Sequence, residues 1–280
     1  MTPTFHRSRF LVCANRRIHI REWGNPDHDP VVIWHGVAGN GRDHESLAAR
    51  LCRHYYVICP DSIGCGQSEW PQNTVKDLVM DFQLQIATEL LLQLSITSLR
   101  WVGASRGGAL GIRMAASDNG VHVTHLVLND AGPELPTKFR AAVSRSMCSP
   151  LSAPTLADFE QHLRKHLSRD GLTLSDGQWQ WLAQIWSRKT THGDYTYHHA
   201  PTLVNQVLFD EKDFNLWESF DRITAKTLLI RGADSSVLSE EQARAMQERG
   251  PKCQLLLRDG GHISLFHTRK EQDAVARFLQ

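Results

Sequence analysis

The strongest signal in this chain is the sequence Gly103-Ala104-Ser105-Arg106-Gly107-Gly108. It follows residues 98–103, an apolar run typical of a buried strand, and it precedes a helical pattern over residues 107–116. A G-x-S-x-G motif between a strand and a helix predicts a sharp turn that lifts the serine hydroxyl above a sheet. Small residues two positions on either side let the strand and the helix approach closely at that turn. Ser105 is therefore the candidate nucleophile, and a plain glycine-rich turn is the alternative.

Similar apolar runs recur along the chain and alternate with amphipathic segments. We predict strands over residues 10–13, 18–23, 31–34, 55–59, 98–103, 125–129, 227–230 and 254–257. We predict helices over residues 43–53, 76–94, 107–116, 240–249 and 270–279. Continuous apolar strands separated by helices favour a parallel sheet that is covered on both faces, whereas the first two strands form a hairpin around Asn15-Arg16. The predicted fold class is α/β, with a doubly wound, mostly parallel sheet.

The alternation of strands and helices stops in the stretch 133–221. This stretch has helical and irregular patterns, is rich in aromatic residues and shows no clear pair of strands. An insertion of this kind is expected to lie over the carboxyl ends of the strands, where doubly wound sheets bind ligands. We therefore predict a core made of residues 1–132 and 222–280, and a helical cap or lid made of residues 133–221.

The bulk composition is that of an ordinary globular chain. Of its 280 residues 41% are hydrophobic, and 31 Lys and Arg balance 30 Asp and Glu. This balance gives no general attraction for nucleic acid or for an anionic membrane. The N-terminal sequence lacks the apolar stretch of a secretory signal, and the six cysteines are scattered without a C-x-x-C pair. We expect a cytoplasmic protein with reduced cysteines that acts on a small molecule, and we leave its oligomeric state open.

A second motif, His35-Gly36-Val37, follows the predicted strand 31–34. A turn at this place can aim a backbone N–H at a developing oxyanion, and the residue after the nucleophile supplies another. We assign these two N–H groups to Val37 and Arg106. His35 is expected to order the loop by hydrogen bonding, and His35 and Gly36 are expected to border the substrate. The alternative is a loop that merely needs its glycines.

A third motif, Pro60-Asp61-x-x-Gly64-x-Gly66-x-Ser68, follows the predicted strand 55–59. The three motifs in this order resemble the α/β-hydrolase superfamily, and the match runs from about Phe10 to Gln280. Agreement is weakest in the predicted cap. The sequences over residues 128–133 and 231–239 are similar to one branch of the superfamily, small bacterial serine hydrolases and esterases with a helical cap. The resemblance implies the α/β-hydrolase fold and a serine nucleophile.

The resemblance also places the histidine base after the last strand. Gly260-Gly261-His262 follows the predicted strand 254–257 and matches that place. His262 is therefore expected to take the proton of Ser105 and to return it to the leaving group. His267 is the second choice, because it falls further along, on the next loop or helix.

The acidic partner of this histidine has two candidates. In many members of the superfamily the acid stands three or four positions after the glycine that closes the preceding strand, but those positions, counted from Gly232, are serines. Asp234 lies one position early, which turns its side chain differently on an extended segment. Asp130, at the end of an earlier strand, is the other place known in the superfamily. We favour Asp130, with Ser235 as a helper that hydrogen-bonds the acid or the histidine, and we keep Asp234 as the alternative.

Other polar and aromatic residues have weaker assignments. The Arg106 side chain pairs either with a substrate carboxylate or with an acidic residue nearby in the cap. Trp181 and Trp186 are candidates for an apolar substrate pocket, or are simply part of the core. No second glycine-rich phosphate loop and no convincing set of metal ligands is present, the histidines of residues 195–199 included, so we expect no cofactor and no metal.

These residues predict a hydrolase that cleaves a carboxylic ester or a related acyl substrate through an acyl-enzyme at Ser105. The same three side chains support carbon–carbon bond hydrolysis of dienone acids and lactone opening, so these reactions stay as alternatives. A cofactor-free oxygenase or lyase and a non-catalytic ligand receptor are further alternatives on the same scaffold.

Overall fold

The computed structural model describes residues 6–148, 151–207 and 211–280. Its strands are β1 His6–Cys13, β2 Arg16–Trp23, β3 Pro30–Trp34, β4 Tyr56–Pro60, β5 Ser98–Ala104, β6 His122–Asn129, β7 Ser187–Lys189, β8 Tyr195–Tyr197, β9 Lys226–Gly232 and β10 Gln254–Arg258. Its α-helices are α1 Glu45–Leu51, α2 Met80–Gln93, α3 Arg106–Ala115, α4 Thr137–Cys148, α5 Leu156–Leu167, α6 Asp176–Trp186, α7 Trp217–Asp221, α8 Glu240–Glu248 and α9 Arg269–Phe278.

Eight strands form one sheet in the order β1-β2-β4-β3-β5-β6-β9-β10. β1 pairs with β2, and β2 with β4, in antiparallel fashion, whereas all other neighbours in this sheet are parallel. The predicted α/β class with a mostly parallel sheet is confirmed. The hairpin at its edge turns on Ala14 and Asn15, both with positive φ, which matches the right-handed twist of the flanking strands.

Apolar side chains cover both faces of the sheet, because successive residues of a strand point to opposite sides. In β3, Val32 and Trp34 belong to one core cluster, and Val31 and Ile33 belong to the other. Side chains from α2, α3 and α8 complete the first cluster, and side chains from α1 and α9 complete the second. The sheet is therefore doubly wound, as the continuous apolar strands predict.

The carboxyl ends of the parallel strands meet at one edge of the sheet. The chain goes from β3 to β4 on one side and then returns to place β5 on the other side of β3. Such a reversal leaves a crevice between the two central strands, where ligands bind in open α/β sheets. Trp34 of β3 is paired with Gly103 of β5, so the loops after both strands open into the same crevice.

The predicted helix over residues 76–94 is interrupted. Lys76–Leu78 form a 3₁₀ turn, Val79 is extended, and α2 begins only at Met80. The Met80 N–H donates to the Asp213 carboxylate at 2.8 Å instead of to a carbonyl of the preceding turn. A single helix over residues 76–94 is therefore wrong, because a distant carboxylate satisfies the start of α2.

The segment between β6 and β9 contains α4 to α7 and a cluster of its own that includes Phe159, Trp179 and Leu182. It also contains a short antiparallel hairpin made of β7 and β8, so the expectation of no strand pair is wrong. Gly193, with φ of 92°, lies in the turn of this hairpin. The division into a core and a cap at residues 133 and 221 stays a prediction. No helix in the described ranges is long and apolar enough to cross a membrane.

Candidate active site

Ser105 lies on a sharp turn between β5 and α3. Its backbone has φ of 49° and ψ of −116°, a combination that non-glycine residues rarely adopt. A side chain at Gly103 would collide with the backbone of Gly107, and one at Gly107 would collide with the carbonyl of Trp34. The two glycines therefore permit the close approach of strand and helix that the motif predicts, and the strain at Ser105 is held by packing around it.

The histidine predicted as the base lies beside this serine. His262, on the loop after β10, has its Nε2 atom 2.9 Å from the Ser105 Oγ atom. Its Nδ1 atom is 2.7 Å from the Asp130 carboxylate. Because an ionised carboxylate only accepts, Nδ1 carries the proton and Nε2 is free to accept from the serine hydroxyl. His267, the second choice, has no hydrogen bond to Ser105 in the described chain.

Asp130 follows β6 and is fully buried. It has φ of 48°, and its carboxylate accepts from the Gly232 N–H at 2.8 Å and from the Ser235 hydroxyl at 2.5 Å. Asp234 is exposed and contributes its backbone N–H to the Gly260 carbonyl. The structure therefore brings Asp130 next to the histidine, with Ser235 bonded to the acid, and leaves the Asp234 side chain outside this network.

The two backbone N–H groups predicted to stabilise an oxyanion lack an internal acceptor among the described residues. Val37 and Arg106 border the same cavity as Ser105, and neither N–H has a hydrogen-bond acceptor in the described part of the chain. Arg106 is the first residue of α3, where a backbone N–H has no partner within the helix and the helix dipole favours negative charge.

His35 lies behind the loop that carries Val37. The Ser62 N–H donates to its Nε2 atom at 2.9 Å, and its Nδ1 atom is 2.7 Å from the Gly36 carbonyl. The ring is therefore neutral, with its proton on Nδ1, and burial lowers its pKa. His35 orders the loop but lies outside both cavities that contain Ser105, whereas Gly36 borders one of them.

Two cavities include Ser105 in their walls. Both are lined by Val37, Ser105, Phe139 and Val143. The first, which we call the elbow cavity, has a volume of about 590 Å³ and extends along α3. The second, the histidine cavity, has a volume of about 680 Å³ and is the one that His262 lines.

The two predicted tryptophans lie in different surroundings. Trp186 lines the histidine cavity, and its indole N–H donates to Asp43 at 2.8 Å. Trp181 lines neither cavity at Ser105, and its indole N–H points to Glu45 at 3.4 Å. The structure therefore gives a place at the site to Trp186 and none to Trp181.

The Arg106 side chain lines the elbow cavity next to the Asp213 carboxylate. The two charged groups are 3.8 Å apart, and the guanidinium also donates to the Leu78 carbonyl at 3.0 Å. Burial lowers the pKa of Arg106 to about 10, and the negative charge of Asp213 opposes this shift. Arg106 is therefore charged at neutral pH and pairs with an acid from the segment after β6, one of the two partners expected for it.

Several residues at the site carry no local sequence signal. Phe139 of α4 has its ring 5.3 Å from the His262 ring, edge to face. The backbone carbonyl of Asp170 accepts the Gly261 N–H at 2.8 Å, and its carboxylate accepts the Ile263 N–H at 2.6 Å, so Asp170 contacts both neighbours of His262. These residues come from far along the chain, so only folding shows that they belong to the site.

The histidines of residues 195–199 are engaged within the protein. His198 accepts the Gly66 N–H at 2.9 Å, and His199 lies 3.2 Å from the Ala200 carbonyl. Burial lowers the pKa of both. Within the described ranges, no three His, Cys, Asp or Glu side chains are grouped as a metal site would require.

Comparisons with known proteins agree with this fold. A family model described as alpha/beta hydrolase fold matches residues 29–267. The chain is 29% identical to a 3-hydroxybutyrate-oligomer hydrolase from Cupriavidus necator over 93% of each sequence. It is 31% identical to a proline iminopeptidase from Xylella fastidiosa over 46% of this chain and 40% of that one. An alpha/beta hydrolase structure from Novosphingobium aromaticivorans superposes with a TM-score of 0.89 at 24% identity, over 98% of both chains.

Proposed function

Because this chain belongs to the alpha/beta hydrolase family, we propose that it is a serine hydrolase that cleaves a carboxylic ester through an acyl-enzyme at Ser105. One observation carries the proposal: the unbroken series of hydrogen bonds from Ser105 through His262 to Asp130. A nucleophile, a base and a group that orients the base, at these distances, are what acyl transfer to a serine requires.

In the first half of the reaction the Ser105 Oγ atom attacks the ester carbonyl carbon while its proton moves to Nε2 of His262. Buried Asp130 keeps the imidazole oriented and stabilises the positive charge that forms on it. The backbone N–H groups of Val37 and Arg106 stabilise the negative oxygen of the tetrahedral intermediate. The bond to the leaving oxygen then breaks, His262 gives its proton to that oxygen, and the alcohol departs.

In the second half a water molecule attacks the acyl-enzyme. His262 takes one proton from the water, the carbonyl passes through a second tetrahedral intermediate, and the bond to Ser105 breaks. The proton returns to the serine oxygen, and the carboxylic acid leaves. The three side chains and two backbone N–H groups named above serve both halves of the reaction.

The relative from Cupriavidus necator supports ester substrates in particular. Its name gives oligomers of 3-hydroxybutyrate as substrate, and these are linked by carboxylic ester bonds. The elbow cavity supports an acyl group of modest size, because Ala109, Leu135 and Phe214 are among its apolar walls. We therefore propose short-chain esters as the first substrates to test.

Hydrolysis of p-nitrophenyl butyrate tests the proposal, with Ser105→Ala as the matched variant. We expect turnover by the wild type and a loss in kcat on the order of 10⁴-fold or more in the variant. A fluorophosphonate probe should label the wild type at Ser105 and leave the variant unlabelled. Equal turnover by both proteins would refute the role of Ser105. Labelling of Ser105 without cleavage of any ester would favour a receptor or a non-hydrolytic enzyme.

A further inference from the structure

The histidine cavity is the side of the site where a leaving alcohol would lie. A general acid must reach the leaving oxygen, and His262 borders this cavity but not the elbow cavity. An ester seated on Ser105 therefore extends its acyl half into the elbow cavity and its alcohol half into the histidine cavity. This assignment rests on the proposed function.

The wall of the histidine cavity carries two buried polar side chains, Asp43 and His44. Both residues are at most 5% exposed. One carboxylate oxygen of Asp43 accepts the Trp186 indole N–H at 2.8 Å, and the Asn40 backbone N–H also lies close to this carboxylate. Both ring nitrogens of His44 lack a hydrogen-bond partner among the described residues, although the main chain of Leu265 lies close to the ring.

Polar groups that are buried without partners are rare, because each has lost its water without gaining a protein hydrogen bond. Here the unpaired imidazole of His44 and the Asp43 carboxylate line the same cavity, which also contains the nucleophile. A ligand that forms hydrogen bonds with both groups would offset the free energy lost when these groups were removed from water. Their arrangement therefore indicates a polar contact with substrate.

The charge states of Asp43 and His44 limit which chemical classes of ligand fit this cavity. Burial lowers the pKa of His44 to about 4, so at neutral pH the ring is uncharged and offers one donor and one acceptor. Burial raises the pKa of Asp43 to about 7, and the nearby Asp61 and Glu45 carboxylates add to that shift. None of the described residues that line the cavity is Lys or Arg. A carboxylate would therefore meet Asp43 without a cation, whereas a hydroxyl group can both donate and accept.

We propose that Asp43 and His44 bind a hydroxyl group on the alcohol half of the ester. The substrates best suited to this site are then monoesters of diols or polyols. The hydroxyl donates to the Asp43 carboxylate and pairs with a nitrogen of His44, while the ester carbonyl lies over Ser105. Asp43 and His44 act on specificity and take no part in the transfer of the acyl group.

Pairs of butyrate esters of equal length test this inference. Each pair joins a monoester of an α,ω-diol, from ethane-1,2-diol to hexane-1,6-diol, to the n-alkyl ester with a methyl group in place of the hydroxyl. We expect kcat/KM of the wild type to favour the hydroxyl ester by about tenfold or more at one chain length, as two buried hydrogen bonds would give. The 3-carboxypropyl ester should be cleaved more slowly than its alkyl counterpart.

Two variants separate this role from a structural one. Asp43→Asn and His44→Phe should each bring the hydroxyl-to-alkyl ratio of kcat/KM close to one. His44→Phe should not lower the melting temperature, because the change removes two unpaired nitrogens from a ring that packs against Phe266. Asp234→Asn is the matched control, since Asp234 is exposed and outside the cavity, and its ratio should equal that of the wild type.

The outcomes are distinct from those that test the proposed function. If alkyl esters are cleaved in a Ser105-dependent way but no diol ester is favoured at any length, the subsite is refuted and the hydrolase is not. A preference that survives in both variants, or faster cleavage of the 3-carboxypropyl ester, would also refute the subsite. If no ester is cleaved, the proposed function fails first, and the alcohol half has no place in this cavity.

Discussion

Asp130 holds a backbone conformation with φ of 48° at the end of β6. Aspartate tolerates this left-handed region better than most residues, and here the conformation sends its carboxylate toward His262. Three donors converge on the carboxylate: the Gly232 N–H, the Ser235 hydroxyl and the His262 imidazole. Such a set of bonds holds the carboxylate firmly in one position.

Replacement of this acid tests its role. We expect Asp130→Asn to lower kcat for p-nitrophenyl butyrate on the order of 10⁴-fold, because an amide no longer keeps the imidazole proton on Nδ1. Asp234→Asn should stay close to the wild type. Steady-state kinetics of both variants provide the measurement, and thermal melting shows whether each is folded. A large loss in Asp234→Asn with little loss in Asp130→Asn would reverse the assignment.

At the scale of elements, the loop after β10 is held from two directions. The Arg258 guanidinium, from the end of β10, donates to the carbonyls of Gly261 and His262 at 2.6 and 3.0 Å. Asp170 ends the 3₁₀ turn Ser168–Asp170; its backbone carbonyl accepts the Gly261 N–H, and its carboxylate accepts the Ile263 N–H on the other side of His262. These hydrogen bonds fix the position of the loop relative to Ser105, although the loop itself contains no helix or strand.

The contact from Asp170 should matter for chemistry more than for binding. We expect Asp170→Ala to lower kcat by about tenfold with little change in KM, because a base displaced by a fraction of an ångström transfers protons less well. Asp176→Ala is a suitable control, since that side chain is exposed and away from the loop. A change in KM alone, or an equal loss in Asp176→Ala, would argue against a positioning role.

On the scale of the whole molecule, the site lies between the carboxyl edge of the sheet and the segment that follows β6. The Asp213 carboxylate of this segment accepts the N–H that begins α2, and it lies 3.8 Å from the Arg106 guanidinium at the start of α3. The interruption of the predicted helix over residues 76–94 is therefore part of this contact. The contacts of Asp213 connect α2 and α3 to the segment that follows β6.

Loss of the Asp213 carboxylate should destabilise the whole fold. Asp213→Ala leaves the buried charge of Arg106 without its acidic neighbour, so we expect the free energy of unfolding to fall by about 3 kcal/mol. The double variant Arg106→Met, Asp213→Ala should recover much of that loss, because no unpaired charge remains. Urea unfolding of the three proteins measures both effects. If the single and double variants were equally stable, the ion pair would contribute nothing.

Neighbouring residues alone were enough to predict much of this protein. The strained serine turn, the loop of Val37 and the strand–helix alternation each depend on a few consecutive positions, so their patterns are visible in the chain. The doubly wound sheet followed from these patterns and is confirmed. The bounds of helices were less secure, as the interruption at Val79 shows, because a partner more than a hundred residues away satisfies the helix start.

Contacts between distant residues needed the folded chain. Asp130 and Asp234 were both compatible with the order of motifs. The folded chain decides between them, because Asp130 lies beside His262, 132 positions away in the sequence, whereas Asp234 is exposed to solvent. The cavities, Phe139 and the anchor at Asp170 are likewise made by segments that meet only when the sheet and its insertion pack. The local sequence determines local backbone geometry, whereas a binding surface depends on the positions that distant side chains take in the folded protein.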